Sequence, residues 1–139
     1  CCQARLCSPI LEQVGAAALY TTPASYLEEV NKEYKKRRDT IVAALKKLPG
    51  VKASDPKGAF YIMVNMPVDD AEKFAIWTLE NFAIDGETVM FAPGNGFYNT
   101  PGSGINEARL AYVLKSEDLE RAIYILGEAL KAYPGRVEK

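Results

Sequence analysis

A chain of 139 residues is long enough for one domain with its own core and too short for two of ordinary size. Its 48% apolar and 25% charged content is that of a globular protein rather than a disordered tail, and a net charge of −1 leaves no general field to draw nucleic acid. Histidine is absent, which excludes Ser-His-Asp and Cys-His catalysis and histidine-ligated metals together.

Any chemistry must therefore rest on lysine, carboxylates, tyrosine or a cofactor. Cys1, Cys2 and Cys7 crowd at one end without Cys-x-x-Cys spacing, so neither a disulfide framework nor a zinc site is expected. No uninterrupted apolar run of about eighteen residues and no signal-peptide pattern is present, so a cytoplasmic protein without membrane contact is expected. The chain opens on Cys1 rather than methionine, in sequence that soon reads as helical, and a fragment is expected; a trimmed terminus of a complete protein is the other reading.

Ser8-Pro9 has the form of an N-cap and a first-turn proline, opening a helix through Ile10, Leu11, Val14, Ala18 and Leu19 that Thr21-Thr22-Pro23 ends. Ser25 to Glu28 forms a capping-box pattern ahead of a long helix with Leu27, Val30, Tyr34, Ile41, Val42, Leu45 and Leu48 on its apolar stripe. Its basic middle, Lys35 to Arg38, reads as a solvated face, since four consecutive residues spread around a helix and cannot converge on one phosphate. Pro49-Gly50 closes the helix.

From Val51 the period turns extended. A short strand at 51–53 and an almost wholly apolar strand at 59–65 are expected, the latter covered on both sides. Asp69 is expected to cap a helix, with Glu72 bonding back and with Ala71, Phe74, Ala75, Thr78, Leu79 and Phe82 on the stripe. Asp85-Gly86 reads as a turn into a strand at 88–92, which Pro93-Gly94-Asn95-Gly96 stops. Ser116 is expected to cap a last helix with acidic residues in its first turn and a buried stripe from Leu119 to Tyr133. The order of elements predicts an α+β fold, a small mainly antiparallel sheet covered by helices.

The strand beginning at Asn106 alternates: Ala108, Leu110, Tyr112 and Leu114 share one face, and Glu107, Arg109, Ala111 and Val113 the other. Arg109 thus lies in an otherwise apolar strand, and close to the glycine-rich loop if this strand pairs with the one at 88–92. Two readings are open. It is a solvent-facing edge residue or pairs with a neighbour such as Glu107 or a helix carboxylate, or its planar fork awaits a planar anion.

Lys57-Gly58-Ala59-Phe60-Tyr61, Val89 to Gly94 with Phe97-Tyr98, and Asn106 to Tyr112 followed by a Ser-Glu-Asp-Leu helix resemble, in this order, the C-terminal part of class I/II, fold-type I aminotransferases. The likeness is to the aspartate aminotransferase branch and runs over essentially the whole chain. It implies that residues 25–139 are the small domain, with 1–24 a remnant of the large domain and its linking helix. It implies a pyridoxal-phosphate-dependent parent that exchanges amino groups between an amino acid and a 2-oxo acid, and that is a homo-oligomer. Arg109 matches the arginine that binds the substrate α-carboxylate, and Asn95, Gly96 and Phe97 match a loop at the substrate mouth. No lysine here sits in a motif like the family's Schiff-base segment, so neither catalytic nor cofactor-binding residues, and no bound cofactor, are expected in this stretch. The fragment alone is expected to be inactive. A non-catalytic amino-acid-binding or regulatory module, and the small domain of a β-lyase, stay open, as does the preferred amino acid.

Overall fold

The computed structural model describes residues 9–137. It divides into two compact units that meet in sequence at Glu33 and Tyr34.

In the first unit, helix α1 (Ile10–Ala17) is followed by a 3-10 turn (Ala18–Thr21) and by the start of α2 (Ala24–Leu45). Pro9 occupies the N-cap of α1, and its carbonyl accepts the Gln13 N–H; Ser8, expected to cap this helix, lies outside the described residues, as do the three cysteines. The Thr21 hydroxyl donates to the Ala18 carbonyl at 2.7 Å and closes the turn before Pro23. Helix α2 starts one residue ahead of Ser25, which therefore lies inside it instead of capping it, and the Tyr26 N–H bonds the Pro23 carbonyl. Ile10, Leu11, Val14 and Leu19 are 71–82% exposed. Hiding such apolar surface favours association, so static light scattering of the chain at high concentration should report a mass of at least a dimer. A monodisperse monomer would count against it.

The second unit holds the rest of α2, strands β1 (Lys52–Ala53), β2 (Tyr61–Asn65), β3 (Ala92–Pro93) and β4 (Glu107–Ala111), and helices α3 (Ala71–Asn81) and α4 (Ser116–Ala132). The strands form one antiparallel sheet in the order β1-β2-β4-β3, so the α+β fold predicted from element order is the one found. Ile62, Val64, Ala108 and Leu110 turn inward and share a buried cluster with Ile41 and Leu45 of α2, Ala71 and Phe74 of α3, and Leu119, Ile123, Leu126 and Leu130 of α4. Strand β2 is not covered on both sides as expected. It alternates, with Ile62 and Val64 buried and Tyr61, Met63 and Asn65 on the other, more open face, because the helices of this unit pack into the inner cluster alone. It also begins at Tyr61 rather than Ala59, since Ala59 adopts φ 59°, outside the β region.

The strand expected at 88–92 is reduced to Ala92–Pro93. Val89 and Phe91 still turn toward the core while Met90 is 84% exposed, but the Thr88 hydroxyl donates to the Thr78 carbonyl at 3.0 Å and ties the segment to α3 rather than to β4. The strand stops at Pro93 as expected, at the sheet edge, where the missing donor costs no ladder bond. The next ladder bond runs from the Gly94 N–H to the Glu107 carbonyl.

Helix caps differ from expectation by one residue. Asp70, not Asp69, caps α3 by accepting from the Glu72 and Lys73 N–H groups. Asp69 accepts instead from the Asp70 N–H and the Tyr133 hydroxyl. Ser116 is the first residue of α4 and caps nothing; its Oγ is buried and unpartnered. The Asp85-Gly86 turn is as expected, with φ of 55° and 80° between the bridged residues Ile84 and Glu87.

Burial first, and then the bond to Asp69, push the Tyr133 hydroxyl up to about 12. A tyrosine raised in the folded state holds its proton where the unfolded chain, near 10, has lost it. Stability from this source is full below pH 10 and falls as pH rises from about 10 to 12. Urea titrations at pH 8 and pH 11 should show this fall in the wild type and a smaller one in Tyr133→Phe; equal falls would refute it.

Candidate substrate-carboxylate site

Strand alternation places Tyr61, Met63 and Asn65 of β2 and Glu107, Arg109 and Ala111 of β4 on the sheet face opposite the core. Arg109 lies half-buried in this face, with Met63 across from it on one side and Ala92 on the other. Neither neighbour carries charge. Its guanidinium carbon is 4.4 Å from the centroid of the Tyr61 ring and 4.4 Å from that of Phe97. Ring contacts of this kind are worth about 0.5–1 kcal/mol each at open sites. Such contacts engage the positive charge of the guanidinium, whereas its N–H donors call for hydrogen-bond acceptors. Among the described residues no carboxylate or carbonyl meets those donors.

Phe97 reaches Arg109 from a 3-10 turn, Asn95–Phe97, that follows Gly94. Backbone proximity explains that glycine: an added Cβ would stand 2.7 Å from Glu107 Cβ and 2.9 Å from its carbonyl oxygen. Of the loop residues singled out in the sequence, Phe97 touches Arg109, whereas Asn95 is committed to its own turn. Its Oδ1 accepts the Gly96 N–H and its amide donates to Glu72 Oε2. Gly96 has open space where a side chain would stand.

Three residues of this face were not singled out as site residues. Tyr61 supplies the second ring. The Tyr98 hydroxyl donates to Glu107 Oε2, and that bond raises the Tyr98 hydroxyl above its ordinary value. The alternation that exposes Arg109 also exposes Glu107, but only the strand register brings Tyr61 alongside and only the folded loop brings Tyr98 across.

The basic run on α2 is absorbed locally. Lys35 and Arg38 both bond Asp39, whose carboxyl is held below the usual range by Lys35 first and then Arg38. Arg37 donates to the Val113 carbonyl and lies over Tyr34. Among the described residues no group of His, Cys, Asp and Glu could hold a metal. Every described lysine is exposed, so none stands within this chain in the closed pocket that a covalently held aldehyde cofactor needs.

An α+β layer with helices on one sheet face and an unpaired, ring-flanked arginine on the other is thus in hand. The chain belongs to the aminotransferase class I and II family, whose model matches residues 2–126. It is 36% identical over 107 residues to an aspartate aminotransferase of Pyrococcus horikoshii, covering 76% of this chain and 25% of that protein. To an aspartate aminotransferase of Bacillus subtilis it is 34% identical over 116 residues, covering 81% and 28%. Among solved structures, an α-aminoadipate aminotransferase of Thermus thermophilus, complexed with N-(5'-phosphopyridoxyl)-L-leucine, superposes with a TM-score of 0.76 at 30% identity, over 94% of this chain and 33% of that one. An alanine aminotransferase of Pyrococcus furiosus gives 0.75 at 31% identity, over 94% of this chain and 32% of that one. The chain spans a quarter to a third of the length of these relatives.

Proposed function

We propose that this chain is the small-domain portion, with its linking segment, of a pyridoxal-phosphate-dependent aminotransferase of the aspartate type, and that Arg109 grips the α-carboxylate of its amino-acid and 2-oxo-acid substrates. In this reading residues 25–139 form the small domain and 1–24 belong to the join with a large domain. The observation that carries it is the Arg109 guanidinium, unpaired among the described residues and against the Tyr61 and Phe97 rings, on the sheet face away from the core. A carboxylate is planar and offers two oxygens at the spacing of two parallel N–H donors, so arginine can meet it with two bonds where lysine offers a single point of charge. Fixing the carboxylate orients the bonds at the α-carbon, a positioning contribution to rate.

The cofactor would supply the electron sink for the chemistry at that carbon, and it belongs to residues of the parent outside those described. The rings of Tyr61 and Phe97 restrict the guanidinium before substrate arrives, which lowers the cost of ordering it on binding. Support comes from the family match and from the aspartate aminotransferases among the relatives. The test is direct. The parent, purified with pyridoxal phosphate, should transfer the amino group of aspartate to 2-oxoglutarate, and the 139-residue chain alone should not. Release of ammonia and pyruvate from a sulfur amino acid without amino transfer would identify a β-lyase. A parent that binds amino acids but no cofactor would identify a binding module.

A further inference from the structure

We propose that Tyr98 is a positioning residue for Arg109: by binding the Glu107 carboxylate it keeps the sheet's one negative side chain off the guanidinium, so that Arg109 stays open to a substrate carboxylate. The inference rests on the assignment of Arg109 as the carboxylate-binding group.

Residues 107 and 109 are two apart in β4, so their side chains leave the strand on the same face. Glu107 is the only carboxylate in any of the four strands. An exposed pair of this kind shifts an equilibrium by roughly two- to fivefold, and a glutamate resting on Arg109 would be a competitor that every substrate has to displace. The pair is not made. Glu107 Oε2 accepts the Tyr98 hydroxyl, while Arg109 lies against Phe97 and Tyr61. Adjacent residues of one loop, Phe97 and Tyr98, thus hold the two opposite charges apart.

Two glycines make room for this arrangement. At Gly104, which has φ 69°, an added Cβ would fall 2.5 Å from two carbons of the Tyr98 ring. At Gly94 it would fall 2.7 Å from Glu107 Cβ. A side chain at either place would push the tyrosine or the glutamate from its seat, since real Cβ contacts do not come so close.

The experiment is steady-state kinetics of the full-length parent. Tyr98→Phe keeps the ring and removes only the donor. It should raise KM for the amino acid about two- to fivefold with kcat little changed, because the released glutamate competes equally with ground and transition states. Adding Glu107→Gln should return KM to the wild-type value, a rescue that a purely structural role for the hydroxyl would not give. Gly104→Ala displaces the same ring by another route and should raise KM in the same way, again relieved by Glu107→Gln. An unchanged KM in Tyr98→Phe, or a rise that Glu107→Gln leaves in place, would overturn the role of Tyr98 while leaving Arg109 as assigned. An unchanged kcat/KM in Arg109→Ala would remove the site itself, and this proposal with it.

Discussion

Arg109→Ala in the full-length parent should lower kcat/KM by about two to three orders of magnitude while leaving cofactor absorbance near normal. The size follows from removing one partner of a hydrogen-bonded charge pair, which costs about 2–5 kcal/mol where the partner charge is left desolvated, a loss read directly from the ratio of kcat/KM values. Cofactor absorbance should survive because the role proposed for Arg109 is on the substrate carboxylate and not on the cofactor. Stability should survive too: among the described residues Arg109 makes no ion pair, and the contacts seen are the two ring contacts at 4.4 Å. Arg109→Lys should fall between, since charge is kept but the two-pronged geometry is lost. A kcat/KM unchanged from the wild type in the alanine variant would take this residue out of the substrate site.

Phe74→Ala should be the most damaging of the single core changes considered, costing about 3–5 kcal/mol. Phe74 is fully buried, and its ring centroid lies 4.9 Å from that of Tyr133, 5.5 Å from Phe91 and 6.4 Å from Trp77. It therefore joins α3 to the end of α4 and to the segment leading into β3. A domain of this size has about 5–15 kcal/mol in all, so the variant should lose about a fifth or more of its resistance to urea. Trp77, the sole tryptophan, provides the fluorescence signal. Phe74→Leu, which leaves a smaller cavity, should cost less. A shift below about 1 kcal/mol in the alanine variant would contradict the packing described, by the same cavity argument.

Much of this was legible in the residues. The 3.6 period marked α2, α3 and α4, the alternation at 106–112 put Arg109 on the face away from Ala108 and Leu110, and the turn at Asp85-Gly86 was visible in two letters. What escaped was set by competition between neighbours or by contacts distant in sequence. Asp69 and Asp70 are equally good caps on paper, and the choice between them follows from Tyr133, whose hydroxyl engages Asp69 from 64 residues away. The run Thr88 to Phe91 is a good strand by composition, yet a single hydroxyl bond to Thr78 holds it off the ladder. The apolar run of β2 suggested two covering layers, and within the second unit there is one. Arg109 was found by alternation and by resemblance, whereas Tyr61 and Tyr98 are recognisable only once three segments have been brought together.

Both margins of the sheet are two residues long, and one of them ends in proline. A strand from another molecule would find too few free backbone groups there to register against. Growth of the sheet from chain to chain is thereby blunted at both margins.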